Sequence, residues 1–471
     1  MHWRYCELLA GAVANLATVS MGCSIAWPSP VLLKLTDGDL KDNPFDVVLT
    51  DRDKAWMDGA LAIGGLCGPL GARWIALRKG RRIALLLSAV PYIVAWLLCM
   101  IVGSVSLLIV ARAVAGFAGG YVLLAVTLYI GEIASDRYRG ALGCFIQIGT
   151  TLGILYVYCI GPFVSYLALQ ALCCAIPILF GTLFLYMPET PHFLVERGLY
   201  QRAGETLMFL RGARSLDEVQ PEVDELRQYI IQRDPGDTAG GISHLWQLVT
   251  SRPNRRALII TLGLVMFQQA TGIDSILANS ELLFAKANSA LDPVHSTIVL
   301  GAIQFASSCA TPFVIDGRTG RRPILLGSSV GMTLALATLG TYFLLERHLA
   351  AGSTTLDAIN WMPLAALIVF VALYNGGYGP VAWALVMELF PHFVKPGGVT
   401  ACVLATVLFD YAVLQLLAVL ITAAGIDWAF WTLAAIGAAA FAFSWRLVFE
   451  TRRLTLVAIQ ERLAGVKVVG L

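Results

Sequence analysis

Charge is what this chain has least of. Aspartate, glutamate, lysine and arginine make up only 14% of its 471 residues, against about 25% in ordinary soluble domains. The formal net charge is +2, so no basic face argues for a nucleic-acid partner. No C-x-x-C pair occurs among the ten cysteines, and the six histidines do not cluster. Burial as small apolar groups is therefore expected for most of the cysteines, with no disulfide, metal or cofactor site. No N-x-[ST] acceptor exists, since Asn279-Ser280-Glu281 and Asn288-Ser289-Ala290 lack the third residue. No G-K-[ST] follows a strand pattern, so nucleotide-driven chemistry has no seat. No catalytic triad can be drawn either, and the chain does not read as an enzyme.

What is abundant is apolar sequence, at 58% of residues and a mean hydropathy of +0.73. It comes in blocks of about 20 residues, the length that crosses a bilayer as a helix. Twelve such blocks fall at about 7–27, 55–77, 83–102, 105–130, 141–161, 163–187, 257–285, 294–315, 323–345, 360–388, 397–423 and 426–448. The first is too long, and too weakly basic on its N-terminal flank, for a cleaved signal peptide. The expectation is an all-α membrane protein with a six-helix bundle over 1–187, a polar helical linker over 188–256, a second bundle over 257–448 and a tail over 449–471. Lys/Arg bias places both termini and the linker on the cytoplasmic side, with an excess of roughly fourfold over the other side. Gly64, Gly65, Gly68, Gly71, Gly116 and Gly120 form small-residue faces for close helix packing.

The chain also repeats itself. Arg78-Lys79-Gly80-Arg81-Arg82 recurs as Arg318-Thr319-Gly320-Arg321-Arg322, each between the second and third helix of a six-helix half. Glu132 precedes Arg139 by seven residues and Glu388 precedes Lys395 by seven, each between the fourth and fifth helix of its half. Two halves of like orientation around a midplane site are the architecture of alternating-access carriers. Acids at helix ends and bases in neighbouring loops suit a gate that pairs when the inner face is closed. Basic topology alone is the competing explanation, but it requires no glutamates at fixed offsets.

These residues resemble the sugar porters of the major facilitator superfamily, which include the animal glucose facilitators. The fourth-helix R-x-x-x-G-x-x-x-G appears as Arg112, Gly116 and Gly120, followed by Tyr129, Glu132, Arg139 and Gly140. P-E-S-P-R is matched by Pro188-Glu189-Thr190-Pro191-His192. Arg211-Gly212 closes a linker helix, Gln268-Gln269-Ala270-Thr271-Gly272-Ile273-Asp274 matches Q-Q-x-x-G-x-N, and Gly379-Pro380-Val381-Ala382-Trp383 matches G-P-x-P-W. The Trp27-Pro28-Ser29-Pro30 end of the first helix is most similar to the insect facilitated trehalose transporters. Departures stand at Leu77 and Gly317, where the family has an acid, at His192 in place of arginine, and at Ala134 and Ala382 in place of proline.

The resemblance implies a sugar carrier without cofactor, whose partners are a small neutral sugar and the bilayer. It assigns sugar contacts to Gln147, Gln268, Gln269, Asp274, Gln304, Asn375, Trp383, Thr406 and Asp410. Amides suit hydroxyls because each offers two donors and an acceptor, and an aromatic face covers the apolar side of a ring. Hydrogen bonding between helices is the competing role for lone polar residues in spans. The resemblance assigns the cytoplasmic gate to Arg81, Glu132, Arg139, Glu189, Arg321, Glu388 and Lys395. A plasma-membrane uniporter of a hexose or trehalose is the leading expectation. A proton-coupled symporter and a non-transporting sugar receptor are the alternatives. Gly22-Cys23-Ser24-Ile25 carries no acid near Arg112, which favours uniport, while Asp274 and Asp410 stand where relatives commonly have asparagine.

Overall fold

A computed structural model describes residues 6–36, 49–135, 138–231, 246, 248–278, 292–315, 320–349, 358–391, 394–452, 454 and 456–465. Among them there is no strand, and twelve helical stretches are long and apolar enough to span a membrane. They are Cys6–Leu32, Trp56–Lys79, Arg81–Met100, Val105–Ile133, Gly140–Phe163, Tyr166–Phe184, Arg252–Ala278, Pro293–Ile315, Arg321–His348, Met362–Leu389, Lys395–Ala423 and Ile426–Leu447. Each coincides with one apolar block of the sequence; residues 279–285 of the seventh block lie outside the described residues. The protein is a multi-pass membrane protein of the major facilitator fold.

Local chemistry sets several of the helix ends. Thr50 and Asp53 form a reciprocal capping box at the second span, which satisfies amides that no intrahelical acceptor reaches. Ser104 and Ser165 cap the fourth and sixth spans in the simpler way. Gly80 (φ 107°) alone separates the second span from the third, and Gly320 (φ 78°) directly precedes the ninth; both lie in a backbone region closed to residues with a β-carbon.

Glycine faces bring the helices of the first half together. A β-carbon on Gly64 would stand 1.9 Å from the carbonyl oxygen of Ala113, and one on Gly116 the same distance from that of Leu61. Gly68 and Gly120 repeat the contact one turn on. The first and fifth spans interlock likewise, Gly22 against Thr150 and Gly153 against Val19. In lipid there is little hydrophobic drive between helices, so this close backbone approach supplies the dispersion that holds them.

Outside the spans lie the helices Pro191–Glu196, Tyr200–Arg211 and Leu216–Ile231. Arg211 ties them to the first half. It donates to Glu7 at 3.0 Å, to the Ile133 carbonyl at 3.0 Å and to Glu222 at 2.7 and 3.2 Å. Burial alone would lower the pKa of this guanidinium; Glu222 and Glu7 outweigh it and raise the pKa. Glu7 also accepts the Ser135 amide at 2.6 Å, so the start of the first span and the end of the fourth share one carboxylate.

Candidate functional site

A cavity lies between the two halves, bounded by the first, second, third, fourth, seventh and eleventh spans. Two local breaks shape its surroundings. The seventh span is interrupted at Thr271-Gly272, where Gly272 takes φ 77°. That turn points Asp274 and Ser275 at the cavity and lets Gln269 donate to Asp274 at 2.8 Å. The tenth span carries a π-helical turn over Tyr374–Tyr378. Such turns widen a helix by one residue and free a backbone acceptor; here Thr311 Oγ1 donates to the Asn375 carbonyl at 2.9 Å.

The polar residues expected at the site divide into two groups. Gln269, Asp274, Thr406 and Asp410 line the cavity. Gln147, Gln268, Gln304, Asn375 and Trp383 are not part of its lining. Gln268, Gln304, Asn375 and Trp383 are buried and Gln147 is half-buried; Gln147 Nε2 donates to Asn375 Oδ1 at 2.8 Å across the fifth and tenth spans. Gln268 Nε2 reaches the Gly379 carbonyl only at 3.5 Å. The side-chain carbonyl oxygens of Gln268 and Gln304 are buried without a partner, an arrangement that costs free energy unless a ligand or water completes it.

On another wall the structure adds Asp58 and Tyr92, which the family motifs do not name, beside the motif residue Arg112. Asp58 of the second span, Tyr92 of the third and Arg112 of the fourth all face the cavity. Arg112 Nη1 donates to the carbonyl and hydroxyl oxygens of Ser24 at 3.1 and 3.4 Å, and its guanidinium lies 5.1 Å from the centre of the Trp27 ring. The indole in turn donates to Gln170 at 3.0 Å. One signal for Asp58 was present in the sequence: a lone acid inside an apolar block is costly there and marks a cavity or a partner.

The face that carries both arginine clusters holds two matching networks. In the first half Arg81 pairs with Glu132 at 2.8 Å and with Glu196 at 3.3 Å, Thr190 donates to Glu132 at 2.6 Å, and Glu189 accepts the amides of Arg82 and Thr190 at 2.9 Å. In the second half Arg321 pairs with Glu388 at 2.6 Å, Thr451 donates to Glu388 at 3.0 Å, and Glu450 accepts the amides of Arg321 and Arg322 at 3.0 Å. The pairs Arg81–Glu132 and Arg321–Glu388 therefore each lie inside a half, and Arg81–Glu196 joins the first half to the linker. At this face Lys395 links the halves, its ammonium donating to the Gly131 carbonyl at 3.2 Å. Arg139 opens the helix Arg139–Ile160; its side chain is outside the described residues, as are Arg137 and Arg318. Glu450 and Thr451 were not anticipated, although the Glu-Thr pair after the twelfth helix repeats Glu189-Thr190 after the sixth.

Known proteins share this build. The facilitated trehalose transporter Tret1 of Polypedilum vanderplanki is 29% identical over 461 residues, 98% of this chain and 88% of that one. Tret1 of Apis mellifera ligustica is 30% identical over 466 residues, again 98% and 88%. Against Tret1 of Aedes aegypti, 29% identical, the chain spans only 55% of the relative's length. Among solved structures, the proton:xylose symporter XylE bound to 6-bromo-6-deoxy-D-glucose superposes with a TM-score of 0.79 at 21% identity, covering 98% of this chain and 99% of that one. The inward-open xylose transporter XylE from E. coli gives 0.69 at the same identity, covering 97% and 99%. These likenesses show the fold. The model of the family described as "Sugar (and other) transporter" matches residues 34–463, and the chain belongs to that family.

Proposed function

We propose that the protein carries a small neutral sugar, a hexose or trehalose, across the plasma membrane by facilitated diffusion, alternating access between its two six-helix halves. The observation that carries this reading is the cavity between the halves, where Gln269, Asp274, Thr406 and Asp410 present hydrogen-bonding groups among apolar walls. Hydroxyls of a sugar both donate and accept, and such a wall matches them. The Lys/Arg bias supports an orientation with both termini and the linker over 188–256 in the cytoplasm. The arginine networks then close the cytoplasmic end, with Arg81, Glu132, Arg139 and Glu189 acting in one half and Arg321, Glu388 and Lys395 in the other. Gln147, Gln268, Gln304, Asn375 and Trp383 serve the sugar as the halves rock and bring them to the cavity.

One observation favours a second reading, proton-coupled symport: three carboxylates, Asp58, Asp274 and Asp410, face the same cavity as Arg112. Uptake of labelled sugar into proteoliposomes separates the two. Uniport predicts that internal sugar levels off at the external concentration under an inward proton gradient, with or without a protonophore. Accumulation above that level, abolished by protonophore, establishes symport. Absence of any sugar flux would sink both.

A further inference from the structure

We propose that Asp58, Tyr92 and Arg112 form a second hydroxyl-binding subsite for the sugar, on another wall from Gln269 and Asp274. The proposal rests on the sugar-carrier reading and extends it to residues outside the family's recognised sugar contacts.

Three observations carry it. First, all three side chains line the cavity, from three different spans of the first half. Second, two of them hold polar atoms that nothing in the protein satisfies. The Tyr92 hydroxyl is buried, at 1% exposure, and has no hydrogen-bond partner; the same holds for Arg112 Nε in a residue 3% exposed. A buried donor without an acceptor costs about as much as a lost hydrogen bond, and both residues belong to the cavity wall. Third, the guanidinium is held in place. Ser24 takes Nη1 on one side, and the Trp27 ring, itself fixed by Gln170, covers it on another. A donor locked before the ligand arrives loses little entropy on binding it.

The ligand class follows from the mixture of groups. A free anion would meet Asp58, Asp274 and Asp410, and a simple cation would meet Arg112. A neutral polyol accepts from the guanidinium and from the phenol while donating to the Asp58 carboxylate, so adjacent hydroxyls fit where a net charge does not. Asp58 and Arg112 interact electrostatically, which keeps acceptor and donor on one side of the ligand. With Gln269 and Asp274 facing from the second half, a sugar held at both walls draws the halves together as it binds.

The test uses the full chain, purified and reconstituted, with D-glucose, trehalose and the singly deoxygenated glucoses as probes. Tyr92→Phe removes one oxygen, and Asp58→Asn keeps the shape while removing charge. Each is expected to weaken binding of the preferred sugar by about 5- to 30-fold, the scale of one unpaired hydrogen bond. The deciding readout is the pattern over analogues. If Tyr92 bonds a sugar hydroxyl, the ratio of wild type to Tyr92→Phe falls towards one for the analogue that lacks that hydroxyl and stays high for the others. A ratio that is equal for every analogue, whether near one or large, overturns the subsite and leaves these residues a structural role. Should Asp58→Asn fail to fold, Tyr92→Phe decides alone. Wild-type protein that binds none of the sugars would instead remove the sugar reading itself, a result distinguishable from uniform ratios.

Discussion

The two arginine clusters are built to one plan but on unequal numbers of carboxylates. Arg81 of the first half holds Glu132 and Glu196 and lies 5.2 Å over the Phe193 ring. Arg321 of the second half holds Glu388 at 2.6 Å, with no second carboxylate recorded on it among the described residues, and its Nε is buried unpartnered. The difference traces to the chain that follows each half. After the sixth span Pro191–Glu196 continues as a helix, which brings Phe193 and Glu196 back over the turn. After the twelfth span the described residues that join the network are Glu450 and Thr451. Among the described residues Arg81 thus has two carboxylate partners and Arg321 has one, so a gate made of both should fail first in the second half.

The largest expected effect tests that asymmetry. Removing one partner from a buried ion pair costs about 3–5 kcal/mol, because the other charge stays buried and unpaired. Glu388→Ala should fall in that range, measured as apparent thermal stability in detergent. Glu132→Ala should cost less, since Glu196 still faces Arg81, and Glu196→Ala should make the two halves alike. Equal losses for Glu132→Ala and Glu388→Ala in the wild-type background would break the comparison.

Next in size is the shared feature of the two networks, the glycine directly before Arg81 and before Arg321. A β-carbon on Gly80 would stand 2.1 Å from Glu189 Oε2, and one on Gly320 would stand 2.6 Å from Glu450 Oε2. Both backbones have positive φ with ψ near 160–170°, a region essentially reserved for glycine that costs others about 1–3 kcal/mol. Gly80→Ala and Gly320→Ala should each lose that much stability and release the carboxylate that caps the following helix. A variant that keeps wild-type stability would show the turn to be more adaptable than its geometry indicates.

The fold was legible in the sequence because a bilayer imposes one length and one polarity on every span. Twelve apolar blocks became twelve spans, and the duplicated pentapeptide marked the two halves. The site was less legible. Gln269, Asp274, Thr406 and Asp410 line the cavity, while Gln147 and Asn375 bond each other beside it. Motif matching places a residue along a helix; it does not say which face meets the cavity once a π-turn or a broken helix has rotated the chain. Tyr92 illustrates the opposite failure. A tyrosine in an apolar block carries no motif, and only the packing of the third span against the fourth, with Tyr92 Oη lying 3.4 Å from where a β-carbon on Gly119 would stand, makes it part of the cavity wall.

A smaller effect concerns a bond that joins the halves at this face. Lys395 is 4% exposed and reaches the Gly131 carbonyl because Gly131 has no side chain; a β-carbon there would stand 2.7 Å from the ammonium nitrogen. Lys395→Met should change folding stability little yet shift the balance of conformations by up to about tenfold, as a charge-assisted hydrogen bond of about 1.5–3 kcal/mol would if only part of it is realised. Spin labels placed on the two halves at this face would report the shift as a longer mean distance. Gly131→Ala should do the same more weakly, since the lysine end can swing aside. Unchanged distances in both variants would remove Lys395 from the gate.

The smallest effect separates the halves by pH. Glu189 sits among three first-half carboxylates, with Glu132 and Glu196, where the second half places Glu388 and Glu450. Burial raises the Glu189 pKa above the ordinary glutamate value; the amides of Arg82 and Thr190 pull it down, and the nearby Glu132 charge pushes it up again. The folded protein thus holds this proton more tightly than the unfolded chain does, so the contribution of Glu189 is fully present below the unfolded pKa of about 4.3. It is lost as pH rises through the higher folded value. Glu189→Gln keeps an oxygen to accept the two amides and removes the titration. The stability of the wild type relative to Glu189→Gln should therefore fall as pH climbs from about 4 towards neutrality. A gap between the two that stays constant over that range would mean that solvent reaches Glu189 and that the crowding of carboxylates in the first half has no energetic consequence there.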